Sequence, residues 1–585
     1  MGARDDSDLE RLNRRLRPLG LEVTVDDIGG RGRCLRATRD FARGELALSS
    51  AAFASHLLSS HLTARCAGCF ERSARLQRCA SCRRTAYCSR ACQRRDWIAG
   101  HRRECGAVAS LDRTVPCAEV DEMILVSRVA HRALIRRDER ERDDDDETPD
   151  EHPAEPLKNH HAEPLRPSVA DVHAMHRWFR RSTRAGANEG AHIATRVHEG
   201  ARRDAPRPER DRDEEDAVSA AETVRRARSV GLLPETSERI DDDDEEDEWE
   251  DDARADAEDA RARTATRSSR RNDFAVMDPL LVPLAAASYP LGALLNHSCD
   301  PNCVVSYRSR APSVPGDAGD AGDAGDGGVP GGEWIQEFRC ARRVARGEEL
   351  THAYVDASTP PVERREALSR RYGFVCDCAR CPEGAEGVPR GCPPSSRGCR
   401  PGERDDEALR PRDDEALDAL LGARRLLDEA AAAEALDDER RLADAATALL
   451  DPLVHDVEGA EGTEGAEGGV PHPALTWRVR SLELALNAAM LAGDWSAAAE
   501  RGARLVEDRV RAYGTRWHPR VALDLVTLGS ARRERDDGWG DDSDSAGAVS
   551  AIRDATDVLR VVAGAKSKLG AETEAILAEA RAEGR

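Results

Sequence analysis

Cysteine and histidine have the clearest chemical pattern in this sequence. Eight of them follow one another at metal-ligand spacing within about 40 residues: Cys66, Cys69, Cys79, Cys82, Cys88, Cys92, His101 and Cys105. Each CxxC pair puts two thiolates on one tight turn, whereas the last two pairs have the i, i+4 spacing of one helical face. Eight ligands fill two tetrahedral zinc sites. The segment has too little apolar material to fold alone, so the metal must supply much of its folding free energy.

A second cluster, formed by Cys376, Cys378 and Cys381, supplies three thiolates and lacks a fourth ligand. The fourth ligand must come from elsewhere in the chain, and Cys299, in the sequence Asn296-His297-Ser298-Cys299, is the best candidate. Five further cysteines match no ligand position and are predicted to be free thiols: Cys117, Cys303, Cys340, Cys392 and Cys399.

The elements that must position these clusters follow from the hydrophobic periodicity. Residues 21–50 alternate apolar and polar side chains around glycine turns, as short strands do, and a strand pattern returns at 274–354. Residues 119–137 have the pattern of an amphipathic helix. Beyond residue 402 the composition is typical of helices, which we predict at 413–451, 473–491, 495–513, 518–535, 546–562 and 571–583. Helix pairs recur about every 40 residues, which is typical of hairpin repeats resembling TPR units.

Composition limits how much of the chain can pack. Only 4% of the 585 residues are aromatic, whereas 34% are charged. We therefore expect disorder at 138–166, at 200–271 and in the Gly-Asp-Ala tract at 316–328, because these segments bury little. Between the first two, one docked helix is predicted from the spacing of Val172, Met175 and Phe179.

The net charge of −23 argues against broad phosphate binding, and it leaves basic protein substrates open. We therefore expect no sequence-specific binding of nucleic acid. No apolar stretch of about 20 residues occurs, so no membrane span is expected either. We expect a monomer in the cytoplasm, in the nucleus or in both.

Three segments carry a resemblance to a known domain. They are LLNHSCDPNCVVSY at 294–307, CARRVARGEELTHAYVD at 340–356 and RRYGFVCDCARC at 370–381. Together with GRGRCLRATRDFARGEL at 30–46 they resemble the SET domain of protein lysine methyltransferases. The eight-ligand segment resembles a MYND zinc finger, and the order of the parts resembles the SET and MYND domain (SMYD) family.

The resemblance implies an α+β architecture: a SET-domain β-fold with an inserted MYND zinc finger, a post-SET zinc site and an α-helical TPR-like C-terminal domain. The implied boundaries are 1–65 for the N-terminal part of the SET domain, 66–105 for the finger, 106–271 for a helical insert with disordered acidic linkers, 272–381 for the SET core and post-SET segment, and 382–585 for a linker and the helical domain.

The resemblance also implies an S-adenosylmethionine-dependent protein-lysine N-methyltransferase. Tyr354 would be catalytic, and Phe274 and Tyr372 would line the channel for the target lysine. The positions matched to cofactor contacts are Gly30, Gly32, Arg33, Asn272, Asn296, His297, Tyr354 and Phe374. The finger's ions would be interleaved, one on Cys66, Cys69, Cys88 and Cys92, the other on Cys79, Cys82, His101 and Cys105. With Cys299 threaded close to the cofactor pocket, the third cluster would hold a third zinc ion.

Methyl transfer explains these residue types. The cofactor's methyl group is already activated, so the enzyme needs to align a neutral lysine amine and exclude water. The sequence departs from the family at Cys34, which stands where the cofactor turn usually has a third glycine. If that residue has a positive φ, its Cβ costs on the order of 1 kcal/mol and weakens cofactor binding.

Two other functions are compatible with parts of this sequence. A non-catalytic adaptor or transcriptional regulator would keep the fold and act through the finger, which in the family binds short proline-rich peptides. A regulator that binds DNA through zinc would need a basic face, and a chain of charge −23 does not obviously have one.

Overall fold

A computed structural model of the protein describes residues 3–26, 32–110, 115–140, 164–168, 170–172, 175, 223–227, 272–310, 333–359, 361–378, 380–381, 410–458, 473–535, 542–565 and 567–583. Helices and strands are mixed up to residue 381, and only helices follow from residue 410 onwards. No helix within these ranges is both long and apolar enough to cross a membrane.

The chain begins with a helix and four strands: α1 (Ala3–Leu16), β1 (Leu21–Asp26), β2 (Gly32–Ala37), β3 (Leu46–Ala51) and β4 (Ala54–Leu57). The predicted alternation is confirmed in β1, where Leu21 and Val23 are buried and pair antiparallel with β2. Helix α1 was not predicted. Its Leu12 and Leu16, spaced i, i+4, are buried in the same apolar core as Leu21.

The finger follows, built from β5 (Gln77–Arg78), β6 (Ala86–Tyr87), α2 (Arg90–Asp96), a π-helical turn at Trp97–His101 and α3 (Arg102–Ser110). The amphipathic helix predicted at 119–137 is confirmed as α4 (Cys117–Arg140). Arg128 of α4 is buried and forms ion pairs with Glu104 (2.8 Å) and Asp96 (3.0 Å) of the finger. This buried charge network holds the finger against α4.

After the finger the chain returns to strands: β7 (Asp273–Met277), β8 (Pro283–Ser288), β9 (Asn296–His297), β10 (Cys303–Arg310), β11 (Glu333–Cys340) and β12 (Thr351–His352), followed by α5 (Pro361–Tyr372). Strands from before and after the finger share sheets. One sheet has the order β10-β11-β3 and another β4-β8-β7, whereas β9 and β12 pair in parallel. The finger and α4 are therefore an insertion into one β-sheet unit.

The C-terminal region consists of seven helices within the described residues: α6 (Arg410–Ala431), α7 (Leu436–Glu458), α8 (Pro473–Ala492), α9 (Trp495–Tyr513), α10 (Pro519–Arg535), α11 (Asp542–Val562) and α12 (Lys568–Glu583). Successive helices pack against each other. The single helix predicted at 413–451 is wrong, because the chain breaks between α6 and α7. Asp437, Asp438 and Glu439 lie in the first turn of α7, where the helix dipole favours negative charge.

Two short pieces contradict the disorder expected between residues 138 and 271. Leu165 forms a parallel bridge to Ser50 of β3, and Val224, in a helical turn at 223–227, is 2% exposed. The docked helix is confirmed in part, since Val172 and Met175 are buried. Charge composition averages over such short segments and therefore missed them. Phe179, the acidic run at 241–252 and the tract at 316–328 lie outside the described residues.

The helical region should depend on the buried ion pair between Arg478 of α8 and Asp508 of α9, whose nitrogen and oxygen atoms are 2.6 and 2.7 Å apart. We expect Asp508→Ala to lower the unfolding free energy by about 3 kcal/mol, because the buried guanidinium loses its two-point partner and keeps only the longer contact with Asp451 at 3.3 Å. Asp438→Ala is the control, because its ion pair with Arg441 is exposed and should contribute less than about 1 kcal/mol. Calorimetry showing equal melting shifts for both variants would contradict this.

Candidate functional site

The finger brings its eight predicted ligands together as two sets. Cys66, Cys69, Cys88 and Cys92 form one set, and Cys79, Cys82, His101 and Cys105 form the other, with the ligand atoms of each set within 4.8 Å of one another. The Sγ atoms of Cys69 and Cys88 are 3.8 Å apart, and those of Cys79 and Cys105 are 3.7 Å apart. A tetrahedral zinc site with Zn–S bonds of about 2.3 Å puts its sulfur atoms about 3.8 Å apart. The donor set and its spacing fit zinc.

Both CxxC segments of the finger adopt the same turn. The residue after each second cysteine, Phe70 in one and Arg83 in the other, has a positive φ, of 64° and 55°. In each turn its amide donates a hydrogen bond to the carbonyl of the first cysteine, with N···O distances of 2.8 and 3.0 Å. This left-handed conformation is costly for side chains other than glycine, and it brings the two thiolates of each pair to the same side.

The third cysteine set is also assembled. The Sγ atom of Cys299 lies 3.9 Å from that of Cys376 and 3.6 Å from that of Cys381, and Cys378 completes the group. Cys299 follows β9, whereas the other three follow α5, so the set joins two distant segments of the chain. All but Cys378 are buried. Four thiolates in this arrangement are a donor set that fits zinc.

The parallel pairing of β9 and β12 positions Tyr354. It sets His352 beside His297, so that Tyr354 follows two residues later at the edge of the same pair. The backbone amide of Tyr354 donates to Nδ1 of His297 at 3.0 Å, and the Tyr354 hydroxyl donates to the carbonyl of Leu295 at 2.7 Å. Since Nδ1 accepts, the proton of the neutral ring is on Nε2, which lies 3.2 Å from Sγ of Cys299 and donates to it. His297 therefore connects Tyr354 directly to the third cysteine set.

Asn296 connects this strand pair to β2. Its amide nitrogen donates to the carbonyl of Arg33 and to a carboxylate oxygen of Glu349, both at 2.8 Å. The Arg33 side chain in turn donates to the carbonyl of Ala293 at 3.2 Å. Gly32, which begins β2, has a φ of +71°, and among the described residues no atom beyond its chain neighbours lies within 4 Å of where a Cβ would be. Four of the predicted cofactor positions, Gly32, Arg33, Asn296 and His297, thus belong to one connected region.

The other two predicted cofactor positions before Phe274 are Asn272 and Gly30. Asn272 directly precedes β7, two residues before Phe274. Gly30 lies outside the described residues.

Aromatic side chains are concentrated around Tyr354. Of the 7 phenylalanines and 6 tyrosines in the chain, seven join two histidines in one continuous network of ring contacts: Phe274, Tyr289, Tyr307, Phe338, Tyr354, Tyr372 and Phe374. The ring centroids of Tyr354 and Tyr372 are 4.9 Å apart, and those of His297 and Phe374 are 5.9 Å apart. Such partly buried rings offer flat apolar faces to a long aliphatic side chain.

His352 belongs to this network, although it was not among the predicted site residues. Its ring lies 4.8 Å from that of Tyr354, 5.2 Å from that of Phe338 and 5.9 Å from that of Phe274. Burial, together with the nearby His297, lowers the pKa of His352 to about 3, so the ring is neutral at pH 7. The i, i+2 spacing from Tyr354 along a strand was the signal in the sequence that could have revealed it.

Burial also raises the pKa of the Tyr354 hydroxyl well above its ordinary value. The hydroxyl therefore stays protonated at neutral pH and remains a hydrogen-bond donor. Burial also raises the pKa of the Tyr372 hydroxyl.

The strain expected at Cys34 is absent. Cys34 is paired with Thr24 in the extended ladder of β1 and β2, and it is not among the residues with positive φ. The left-handed position of this segment is Gly32 instead. The expectation of weaker cofactor binding through Cys34 therefore loses its premise, because an extended backbone accepts a Cβ without strain. Cys117, Cys303 and Cys340 are free thiols as predicted, whereas Cys392 and Cys399 lie outside the described residues.

Comparison with known proteins gives matches to the finger and to a longer region. Residues 66–105 match the family model of the MYND finger. The chain is 23% identical over 364 residues to N-lysine methyltransferase SMYD2-B of Xenopus laevis, a match that covers 62% of this chain and 61% of that protein. It is 23% identical over 365 residues to SMYD2 of Gallus gallus, covering 62% of this chain and 60% of that protein. For histone-lysine N-methyltransferase SMYD3 of Mus musculus the identity is 24% over 361 residues, covering 62% and 61%.

The matched region thus spans about 61% of the length of these curated relatives. These matches confirm the resemblance to the SET and MYND domain family that the motifs predicted.

The three cysteine sets predict the metal content. We expect three zinc ions per chain by elemental analysis and two in Cys381→Ser, because three thiolates leave the third site open. Cys117→Ser is the matched control, since that thiol is exposed and belongs to no set, and it should retain three ions. Two ions in the wild-type protein would mean that the third set does not bind metal.

Proposed function

We propose that this chain, which resembles the SET and MYND domain family, is an S-adenosylmethionine-dependent protein-lysine N-methyltransferase with a SET-type β-fold. The observation that carries the proposal is the hydrogen-bonded connection from Tyr354 through His297 to Cys299, within a wall of aromatic rings. It puts one neutral hydroxyl among partly buried aromatic rings, an arrangement that a lysine methyltransferase needs and an adaptor does not. Proteins matched over about 360 residues are named as lysine methyltransferases, which supports this assignment.

The residues around β2 and β9 fit the cofactor. Open space beside the left-handed Gly32 lets a ligand approach the backbone closely. The carbonyl of Arg33 and the side chain of Asn296 are already joined by a hydrogen bond, so they present a preorganised polar edge. The ring of Phe374, packed against His297, offers an apolar face. When bound, S-adenosylmethionine supplies a methyl group that its sulfonium already activates.

The protein's own contribution is alignment and exclusion of water. We assign Phe274, Tyr354 and Tyr372 to the walls of a channel for the lysine side chain. The amine must enter the reaction neutral, and a dry aromatic enclosure favours the neutral form over the charged one. The Tyr354 hydroxyl donates its hydrogen bond to the carbonyl of Leu295, so the lone pairs of its oxygen remain free to accept from the amine. Holding the amine in this way converts binding energy into alignment.

The third metal site would support this channel. Tyr372 and Phe374 lie just before Cys376, so the cysteine set limits where both rings can move. Among the described residues, the finger reaches the aromatic network only indirectly, through Trp334, which donates to the carbonyl of Cys69 and accepts from Tyr289. We therefore assign a structural role in catalysis to the third ion and a binding role to the finger.

The finger presents an apolar surface that favours a second, compatible role. Trp97 is 39% exposed and Ile98 is 73% exposed, and both lie between the ligands Cys92 and His101. Exposed aromatic and branched side chains at one position are typical of peptide contacts. A proline-rich peptide is the partner that the resemblance implies. Such binding would also serve a non-catalytic adaptor, so only methyl transfer separates the two functions.

The enzyme is tested most directly by Tyr354→Phe. With trideuteromethyl-labelled cofactor and a cell lysate, mass spectrometry should find labelled lysines with the wild type. The variant should lose on the order of 10²-fold or more of the rate, because it lacks the positioned hydroxyl. Loss of the hydrogen bond to Leu295 should cost only about 1 kcal/mol of stability.

Tyr513→Phe is the matched control for that loss, because it removes a buried hydroxyl outside the aromatic network and should keep the rate. Equal rates for Tyr354→Phe and the wild type would overturn the catalytic role. No labelled lysine with the wild type would favour the adaptor.

Cofactor affinity should respond to Gly32 and not to Cys34. We expect Gly32→Ala to weaken cofactor binding about fivefold, because a side chain lets the free turn relax away from positive φ and binding must then restore that φ at a cost of roughly 1 kcal/mol. No described residue beyond the chain neighbours lies close enough to clash with the added methyl group, so the loss reports backbone strain. Cys34→Gly should not tighten binding, since Cys34 already has an extended backbone. Tighter binding by Cys34→Gly in titration calorimetry would contradict the geometry of this turn.

A further inference from the structure

Two arginine side chains beside the third cysteine set have no role in the function proposed above. Arg364 of α5 and Arg380, the residue before Cys381, are both 0% exposed. We propose that they form the outer shell of the third metal site, balance its charge, and couple metal binding to the docking of the C-terminal helices. This inference deepens the proposed function and rests on its third metal site, but not on the methyl transfer itself.

Arg364 is the direct neighbour of the sulfur atoms. Its Nε donates to Sγ of Cys299 at 3.1 Å, and its Nη2 lies 3.5 Å from Sγ of Cys381. The other donors reach backbone carbonyls: Ala357 at 3.3 Å, Arg380 at 3.0 Å, and Thr359. A guanidinium has five N–H donors, and these five contacts use all of them. Lysine has three donors and could not replace it.

Arg380 connects the cysteine set to the helical region. Its Nη1 donates to the carbonyl of Cys299 at 3.1 Å and to that of Tyr513 at 2.8 Å, and its Nη2 donates to the carbonyl of Ala512. Ala512 and Tyr513 are the last residues of α9, which ends at Gly514 in the left-handed conformation. The last carbonyls of a helix have no partner within it and carry partial negative charge, so a buried cation there is favourable.

The charges balance only when the metal is present. A divalent ion with four thiolates carries a net charge of about −2, and the two guanidinium groups carry about +2. No carboxylate forms an ion pair with either arginine within the described part of the chain, and Asp300 beside Cys299 is exposed. Losing the ion removes two of these charges and the fixed arrangement of sulfur atoms that Arg364 contacts, so the two buried cations lose the group that compensates them.

This balance makes the two events thermodynamically linked. Loss of the ion should loosen the contact of Arg380 with α9, and loss of that contact should weaken metal binding by the same factor. Within the described parts of the chain the finger sites have no such connection to α9, so only one of the three ions should respond. Metal occupancy of the third site would then control how α9 docks against the third cysteine set.

The first test follows zinc release from the full-length protein, using a chromogenic chelator. In Arg380→Met one ion of three should leave at least about tenfold faster than in the wild type, while two leave at the wild-type rate. Arg370→Met is the matched control, because Arg370 is an exposed residue of α5, and it should release all three ions as the wild type does. Unchanged release from Arg380→Met would overturn the inference.

The second test needs no variant of either arginine. Hydrogen exchange of the last turn of α9 is compared between Cys381→Ser, which lacks one of the four ligands of the third set, and Cys117→Ser. We expect faster exchange at Arg511–Gly514 in Cys381→Ser and no change at the finger. Equal exchange in both would overturn the coupling even if Arg380→Met does not fold.

Neither readout depends on methyl transfer. A protein with no methyltransferase activity but with metal-linked exchange would refute the proposed function and support this inference. An active enzyme in which hydrogen exchange of α9 does not respond to the metal would support the proposed function and refute this inference.

Discussion

Four parts of this molecule meet at Cys299. It belongs to the third cysteine set, it accepts hydrogen bonds from His297 and from Arg364, and the carbonyl of the same residue accepts from Arg380. Through these contacts it touches the strand pair that carries Tyr354, the helix α5 and the end of α9. A buried thiolate must be compensated by metal and donors, and satisfying that one requirement orders the surrounding segments.

Buried arginine serves the same purpose elsewhere in the chain. Arg128 joins α4 to the finger, and Arg478 and Arg509 join the helices of the C-terminal region through Asp508 and Asp524. Of the 88 basic residues in this chain, 85 are arginine. A lysine would supply a charge at such positions but not the fork of five donors, which several carbonyls and carboxylates can share. The composition therefore allows buried ionic connections that the net charge of −23 does not reveal.

The insertion of the finger makes the sheet depend on contacts across it. Trp334 of β11 stacks on Phe70 of the finger at 5.9 Å, and its indole nitrogen donates to the carbonyl of Cys69 at 3.3 Å. The strands at either side of the insertion pair with each other, so the chain must leave and re-enter one unit at a defined place. We infer that the metal-supported finger reduces the entropy cost of closing that long loop.

The sequence by itself determined the features that depend on local spacing. CxxC turns, i, i+4 pairs and strand alternation are properties of neighbouring residues, so the eight finger ligands, the cluster of Cys376, Cys378 and Cys381, the strand β1 and most C-terminal helices were predictable, whereas the division of the finger into two interleaved sets came from the resemblance. The resemblance further predicted that Cys299 completes the third set, and the structure places it there. Local charge also accounts for the break before α7, although its effect became visible only in the structure.

Tertiary structure alone decided which distant groups compensate each other. No sequence pattern near Arg364 or Arg380 predicts that their side chains are buried. The only local signal for His352 is its spacing from Tyr354. The conformation at Cys34 was mispredicted because the sequence shows a missing glycine but not the φ angle of that position. Burial and pairing come from segments that are distant in the sequence, such as Arg364 with Cys299 and Arg380 with Tyr513, and the free energy of a buried charge depends on the whole surrounding shell.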